Sequence, residues 1–114
     1  MDYNIKSQYG CVVLLLLKDI TLYEVGRFNE ALNQVRKEKE CAKNVIIDLE
    51  KVGFIDALAL GAFTAFTKEV RDSGGDVKII NMNADIKAVF ELTRLSKIYE
   101  IYDNLDKAIS SFKR

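Results

Sequence analysis

Polar and apolar residues alternate over positions 3–9, Tyr-Asn-Ile-Lys-Ser-Gln-Tyr, the period-two pattern of an edge strand with one wet face. Gly10 then turns the chain into Cys11-Val12-Val13-Leu14-Leu15-Leu16-Leu17, an unbroken apolar run. A strand that is apolar on both sides is covered on both sides, so residues 12–17 are predicted to form a fully buried strand. It pairs with the first through a hairpin. From Leu22 the period changes. Val25, Phe28, Leu32 and Val35 recur at three- and four-residue spacing, which predicts an amphipathic helix. Its end, residues 36–40, is a run of mixed charge and reads as a solvated face.

Residues 45–49, apolar except for Asp48 and continuous rather than alternating, predict another buried strand. The helix predicted after it covers about residues 58–72, with Ala59, Ala62, Phe63, Phe66 and Val70 turned inward. Ser73-Gly74-Gly75 stops that helix, because glycine accepts the left-handed conformation in which helices end. Residues 77–80 give the next strand, and strand, helix, strand in this order implies parallel pairing through a right-handed crossover. Asn83 is placed to cap a third helix carrying Ile86, Val89, Phe90 and Thr93 on one side. A short strand is predicted over 98–102. Asp103 or Asn104 then opens a last helix with Leu105, Ala108, Ile109 and Phe112. The expected architecture is α/β: one domain over residues 1–114, with a mixed sheet of about four to five strands and four helices packed on it.

Composition narrows the function more by exclusion than by indication. Hydrophobic residues make up 49% of the chain and charged residues 30%, which fits a folded domain and not a disordered one. Seventeen basic side chains balance seventeen acidic ones, without the basic excess of a nucleic-acid binder. Histidine is absent, which removes the commonest general base and the commonest metal ligand. Neither Gly-x-x-x-x-Gly-Lys nor Gly-x-Gly-x-x-Gly occurs, so no phosphate-cradling loop is expected. Asp48 and Asp56 stand eight positions apart and match no metal-ligand spacing. Catalysis, a cofactor and a metal are therefore not expected. Cys11 and Cys41 are far apart beside apolar segments and read as two reduced, buried thiols, which suits a cytoplasmic protein. The run 11–17 is too short to cross a bilayer, and with Asp19 close behind it makes a poor leader peptide.

The segment Val45-Ile46-Ile47-Asp48-Leu49, followed by Phe54-Ile55-Asp56-Ala57-Leu58-Ala59-Leu60-Gly61, runs a buried strand into a loop, an aspartate and a helix start. Open α/β sheets carry their functional groups at such corners. Asp19-Ile20-Thr21-Leu22-Tyr23 precedes it. Gly74-Gly75-Asp76-Val77-Lys78-Ile79-Ile80-Asn81, Val89-Phe90-Glu91-Leu92-Thr93-Arg94-Leu95 and Ile101-Tyr102-Asp103-Asn104 follow in order. Together these segments resemble the STAS domain of bacterial anti-sigma factor antagonists over nearly the whole chain.

The resemblance implies a partner, a kinase-like anti-sigma factor, whose capture would release a sigma factor. It also implies a phosphorylation switch: in the family the aspartate is followed by two hydroxyl residues and a glycine, the second hydroxyl being the usual acceptor. Ala57 and Leu58 stand in those places here, with Leu58 at the acceptor position. Neither carries an oxygen, so the switch is expected to be missing. The partner surface implied is Thr21, at the place of a family loop aspartate, with Asp56, Ala57, Leu58, Ala59 and Gly61. Asp56 reads as a helix cap, a partner contact, or both. Leu58 is either a core residue or an exposed apolar contact. Thr21 is a turn-stabilising hydroxyl or a substitute acceptor, and Thr64 a helical threonine bonded back to a carbonyl. The same fold also suits a non-enzymatic scaffold subunit of a stress-signalling or transporter-associated complex. Homo-oligomerisation stays open.

Overall fold

The computed structural model describes residues 3–8, 10–37 and 44–112. Strands β1 (Tyr3–Gln8) and β2 (Cys11–Leu16) form the expected hairpin, antiparallel with Ile5 opposite Leu14, and Gly10 turns it at φ 79°. Helix α1 (Val25–Lys37) is entered through a 3-10 turn at Leu22–Glu24. Strand β3 (Asn44–Asp48), helix α2 (Ala57–Asp72) and strand β4 (Asp76–Ile80) make the parallel crossover, with Ile47 opposite Ile79. Helix α3 (Ala84–Leu92), strand β5 (Ile101–Tyr102) and helix α4 (Leu105–Phe112) complete the chain. The sheet runs β1-β2-β3-β4-β5, parallel throughout except at β1.

Period-two alternation divides the inner strands between two cores. Val12, Leu14, Val45, Ile47, Val77 and Ile79 face α1, α2 and α3, whose Phe28, Leu32, Phe63, Phe66 and Phe90 are fully buried or nearly so. Phe63 is the centre of this layer: its ring stacks on Phe28 at 6.3 Å and meets Phe90 and Tyr99 edge-on at 6.2 and 5.2 Å. The other face carries Cys11, Val13, Ile46 and Ile80 and is covered by Ala108 and Ile109 of α4. Cys11 is thus a buried thiol as expected; Cys41, Tyr9 and residues 38–40 lie outside the described residues.

Several boundaries move. Leu17 is not in the buried strand: β2 ends at Leu16 and Leu17 is exposed where the chain leaves the sheet. Of the four residues expected inside α3, only Ile86 and Phe90 are buried. The helix stops after nine residues, with Thr93 as its cap and Arg94 left-handed at φ 63°. Val89 and Thr93 therefore face outward. The predicted strand over 98–102 shrinks to Ile101–Tyr102, because a 3-10 turn at Leu95–Lys97 takes up the approach. Asn104, not Asp103, caps α4, its Oδ1 accepting from the Lys107 amide at 2.9 Å.

Two polar groups inside the cores have testable consequences. Lys78 sits in mid-strand under α4, its Nζ donating to Ser111 Oγ at 2.6 Å, 3.1 Å from Glu100 Oε2 and 4.3 Å from the centre of the Phe112 ring. Ser111 keeps its own proton donor for the Ala108 carbonyl. Desolvation of a buried charge offsets most of what its partner returns. Lys78→Met, which keeps the stem and drops the charge, is expected to change stability by no more than about 1 kcal/mol in denaturant unfolding. Lys78→Ala, which also leaves a hole, is expected to cost about 2 kcal/mol or more.

Tyr99 is buried in the larger core, 2.6 Å from Thr67 Oγ1. The threonine proton goes to the Phe63 carbonyl at 2.9 Å, so Tyr99 is the donor. Burial pushes its phenol from the ordinary 10.0 up to about 12, and the Thr67 bond pulls slightly the other way. The unfolded chain loses this proton first. The stability Tyr99 contributes is therefore whole below pH 10 and drains away as pH rises towards about 12. Phenolate absorbance of the folded protein should show one tyrosine titrating last, and Tyr99→Phe should remove that step.

Candidate partner-binding site

β2 and β3 are neighbours and parallel, so both exit loops leave from the same edge of the sheet. The pairing does not end with the strands. An isolated parallel bridge joins Ile20 to Ile55, with the Ile20 amide donating to the Phe54 carbonyl at 2.9 Å and the Asp56 amide to the Ile20 carbonyl at 2.8 Å. Asp19 adds a third tie, its Oδ1 accepting from the Gly53 amide at 2.6 Å. A methyl group on residue 53 would sit only 3.3 Å from that oxygen, which favours glycine there. From the other side the Asn83 amide group donates to the Val52 carbonyl at 3.2 Å while its Oδ1 caps α3 through the Ile86 amide at 2.8 Å. Asp48, at the end of β3, accepts from the Glu50 amide and from Asn81.

The clamped loop delivers Asp56 as the N-cap of α2. Its backbone is extended, at φ −70° and ψ 152°, and its Oδ1 accepts from the Leu58 amide at 2.9 Å. The cap satisfies one of the open amides at the helix start, and its charge suits the positive end of the helix dipole. The helix opens on Ala57 and Leu58, both exposed, and Leu58 keeps 59% of its surface in solvent. That excludes the core reading of Leu58. Phe54, two residues before the cap, is 51% exposed, and Leu22 and Tyr23 on the adjoining loop are 52% and 92% exposed. Apolar side chains left in water on two loops that are bonded to each other suit a protein interface.

The remaining candidates divide. Gly61 lies on the exposed side of α2, and Thr21 is half-buried beside the Ile20 bridge. Ala59 is completely buried in the larger core and is withdrawn from the surface: at the third position of α2 it points to the sheet, one turn before Phe63. Thr21 does not stabilise its turn through the hydroxyl. Its carbonyl accepts from the Glu24 amide at 3.0 Å, and its side chain makes no cap. Thr64 bonds back to the Gly61 carbonyl at 3.0 Å, as expected of it. Asp19, Phe54, Leu22 and Tyr23 escaped the sequence reading as site residues. The available signal was Phe54 itself, a large apolar residue directly after a loop glycine. Among the described residues no three acidic or cysteine side chains gather to hold a metal, and no helix is long and apolar enough to cross a membrane.

The STAS domain profile matches residues 2–108. The chain belongs to the STAS domain family. In sequence it is similar to a Thermotoga maritima protein provisionally named an anti-sigma factor antagonist. The two are 27% identical over 100 residues, which is 88% of this chain and 83% of that one. The anti-sigma F factor antagonist of Paenibacillus polymyxa is 19% identical over 115 residues, covering 99% and 97% of the two chains. Among solved structures, the crystal structure of a Thermotoga maritima protein of the same provisional name superimposes with a TM-score of 0.89 at 24% identity, over 98% of this chain and 95% of that one. The anti-sigma factor antagonist from Mycobacterium paratuberculosis gives 0.86 at 18% identity, over 99% and 94%. Both curated relatives carry the names of regulators, antagonists of anti-sigma factors.

Asp56→Ala removes the cap of the STAS α2 helix and should lower the unfolding free energy by about 1 kcal/mol, whereas Asp56→Asn should recover most of it. Thermal denaturation of the three proteins tests this directly.

Proposed function

We propose that this STAS protein captures a kinase-like anti-sigma factor on the surface formed by Thr21, Phe54, Asp56, Ala57, Leu58 and Gly61, and so releases a sigma factor. The observation that carries the reading is the exposed Leu58 at the start of α2, beside Phe54, on a loop clamped from both sides. An apolar residue there makes a contact that strengthens as water leaves it. The names of the relatives, antagonists of anti-sigma factors, point the same way. The setting in which such a protein works is the cytoplasm.

The reading extends to control. A phosphoryl group at positions 57–58 adds a charge of roughly −1.5 to −2 next to the Asp56 carboxylate, in a contact that docking has to desolvate. Ala57 and Leu58 offer no oxygen to carry one. Binding is therefore set by the amounts of the two proteins and not by phosphorylation at this corner.

Calorimetric titration with the purified anti-sigma factor from the protein's own genome tests both parts. Leu58→Glu, an exposed change, should weaken binding by about 30-fold or more, the size expected for a central interface residue worth about 2 kcal/mol. The double variant Ala57→Ser/Leu58→Ser should take up phosphate from ATP in the presence of that partner, and the natural chain should not. Phosphate uptake by the natural chain, at Thr21 or elsewhere on this surface, contradicts the absence of a switch. A stable large assembly in light scattering, with no affinity for an anti-sigma factor, favours a scaffold role instead.

A further inference from the structure

We infer that Asp19 is a positioning residue for the partner surface: its carboxylate fixes the peptide before Phe54 and so sets how that ring is presented. This rests on the function proposed above. Phe54 lies between two peptide groups that are each held from the β2 exit loop. On its N-terminal side the Gly53 amide donates to Asp19 Oδ1 at 2.6 Å, and on its C-terminal side its own carbonyl accepts from the Ile20 amide at 2.9 Å. The second tie is backbone to backbone and is available to any sequence. The first depends on one side chain. It is a short bond to a carboxylate, of the charge-assisted kind that is stronger than a neutral one. Gly53 belongs to the same device, since a side chain at that position would crowd the oxygen.

The ring it holds has little other support. Phe54 is 51% exposed and stands over a shallow apolar hollow of about 50 Å³ between the loop and α3, lined by Ile55, Ile86, Val89 and Phe90 with Asp85 at the rim. With the Gly53 amide released to water, Phe54 can turn about the peptide before it and fill that hollow itself, and the partner then meets a surface without its ring. Asp19 is itself exposed and is placed to act by holding this peptide. Its removal is therefore read in loop order and in binding rate, and not in the stability of the whole fold.

The test compares Asp19→Ala and Asp19→Asn in the full chain. Asp19→Ala should speed hydrogen exchange of the Gly53 amide by about tenfold or more while shifting the melting temperature by no more than about 2 °C. Association with the purified anti-sigma factor should slow by about threefold to tenfold with little change in dissociation, as expected when only a fraction of loops is ready to bind. Asp19→Asn keeps an acceptor oxygen but makes the weaker, neutral bond, so it should restore most of the exchange protection and the association, well above the Ala variant. An Asn variant as impaired in binding as the Ala variant, with its Gly53 amide still protected, would show that Asp19 touches the partner through its charge, and would overturn positioning. Unchanged Gly53 exchange in Asp19→Ala overturns it as well. The exchange readout belongs to the free protein, so it judges the positioning even where the natural chain binds no anti-sigma factor and the parent reading fails.

Discussion

Everything at the candidate site depends on a parallel pairing that outlives its strands. β2 and β3 stop at Leu16 and Asp48, yet their chains meet again at Ile20 and Ile55, with bonds of 2.9 and 2.8 Å between backbone groups. Ile20 is fully buried and Ile55 nearly so, and the bridge is thereby anchored in the larger core by two apolar side chains. It makes two exit loops into one surface. Together with the Asp19 bond to Gly53, it holds Thr21 and Asp56 at one edge of the sheet beside the start of α2.

What the bridge presents is a contrast in polarity. Asp19, Asp48, Asp56 and Asn83 each spend a side-chain oxygen on a loop or helix amide. The side chains left for a partner are apolar, with Phe54, Leu58, Leu22 and Tyr23 in solvent. With these carboxylates bonded to the protein's own amides, the exposed apolar side chains are what the proposed docking surface offers. Preformation matters because ordering a loop on binding subtracts from affinity.

The fold was legible because periodicity and burial agree over most of the chain. The runs at 11–17 and 45–49 are continuous where helices cover both sheet faces, and the stripe Phe28, Leu32, Val35 is the buried side of α1. The errors cluster where tertiary contacts decide the outcome. α3 carries Val89 in phase with Ile86 and Phe90, but it packs along a narrow line beside the loop and leaves Val89 outside. Lys78 interrupts an apolar strand, and its burial is explained by Tyr102 of β5, Ser111 and Phe112 of α4 and the Glu100 carboxylate just before β5. At the site, the Asp56 cap could be read from an aspartate placed before a helix. The Asp19 bond to Gly53 joins residues 34 positions apart and has no local signature. Ala59 shows the converse: family likeness sets it on the partner surface with Asp56, Ala57, Leu58 and Gly61, whereas the helical phase that turns it inward is the one the structure follows.

The central claim is that the joined loops and the first turn of α2 are where a protein partner sits. Cross-saturation mapping of the isotope-labelled chain bound to the purified anti-sigma factor measures this without any substitution. Attenuation is expected to centre on Tyr23, Phe54, Ala57 and Leu58, with α4 and the β1 edge untouched. Attenuation centred on α4 or β1, with the loops silent, would contradict it.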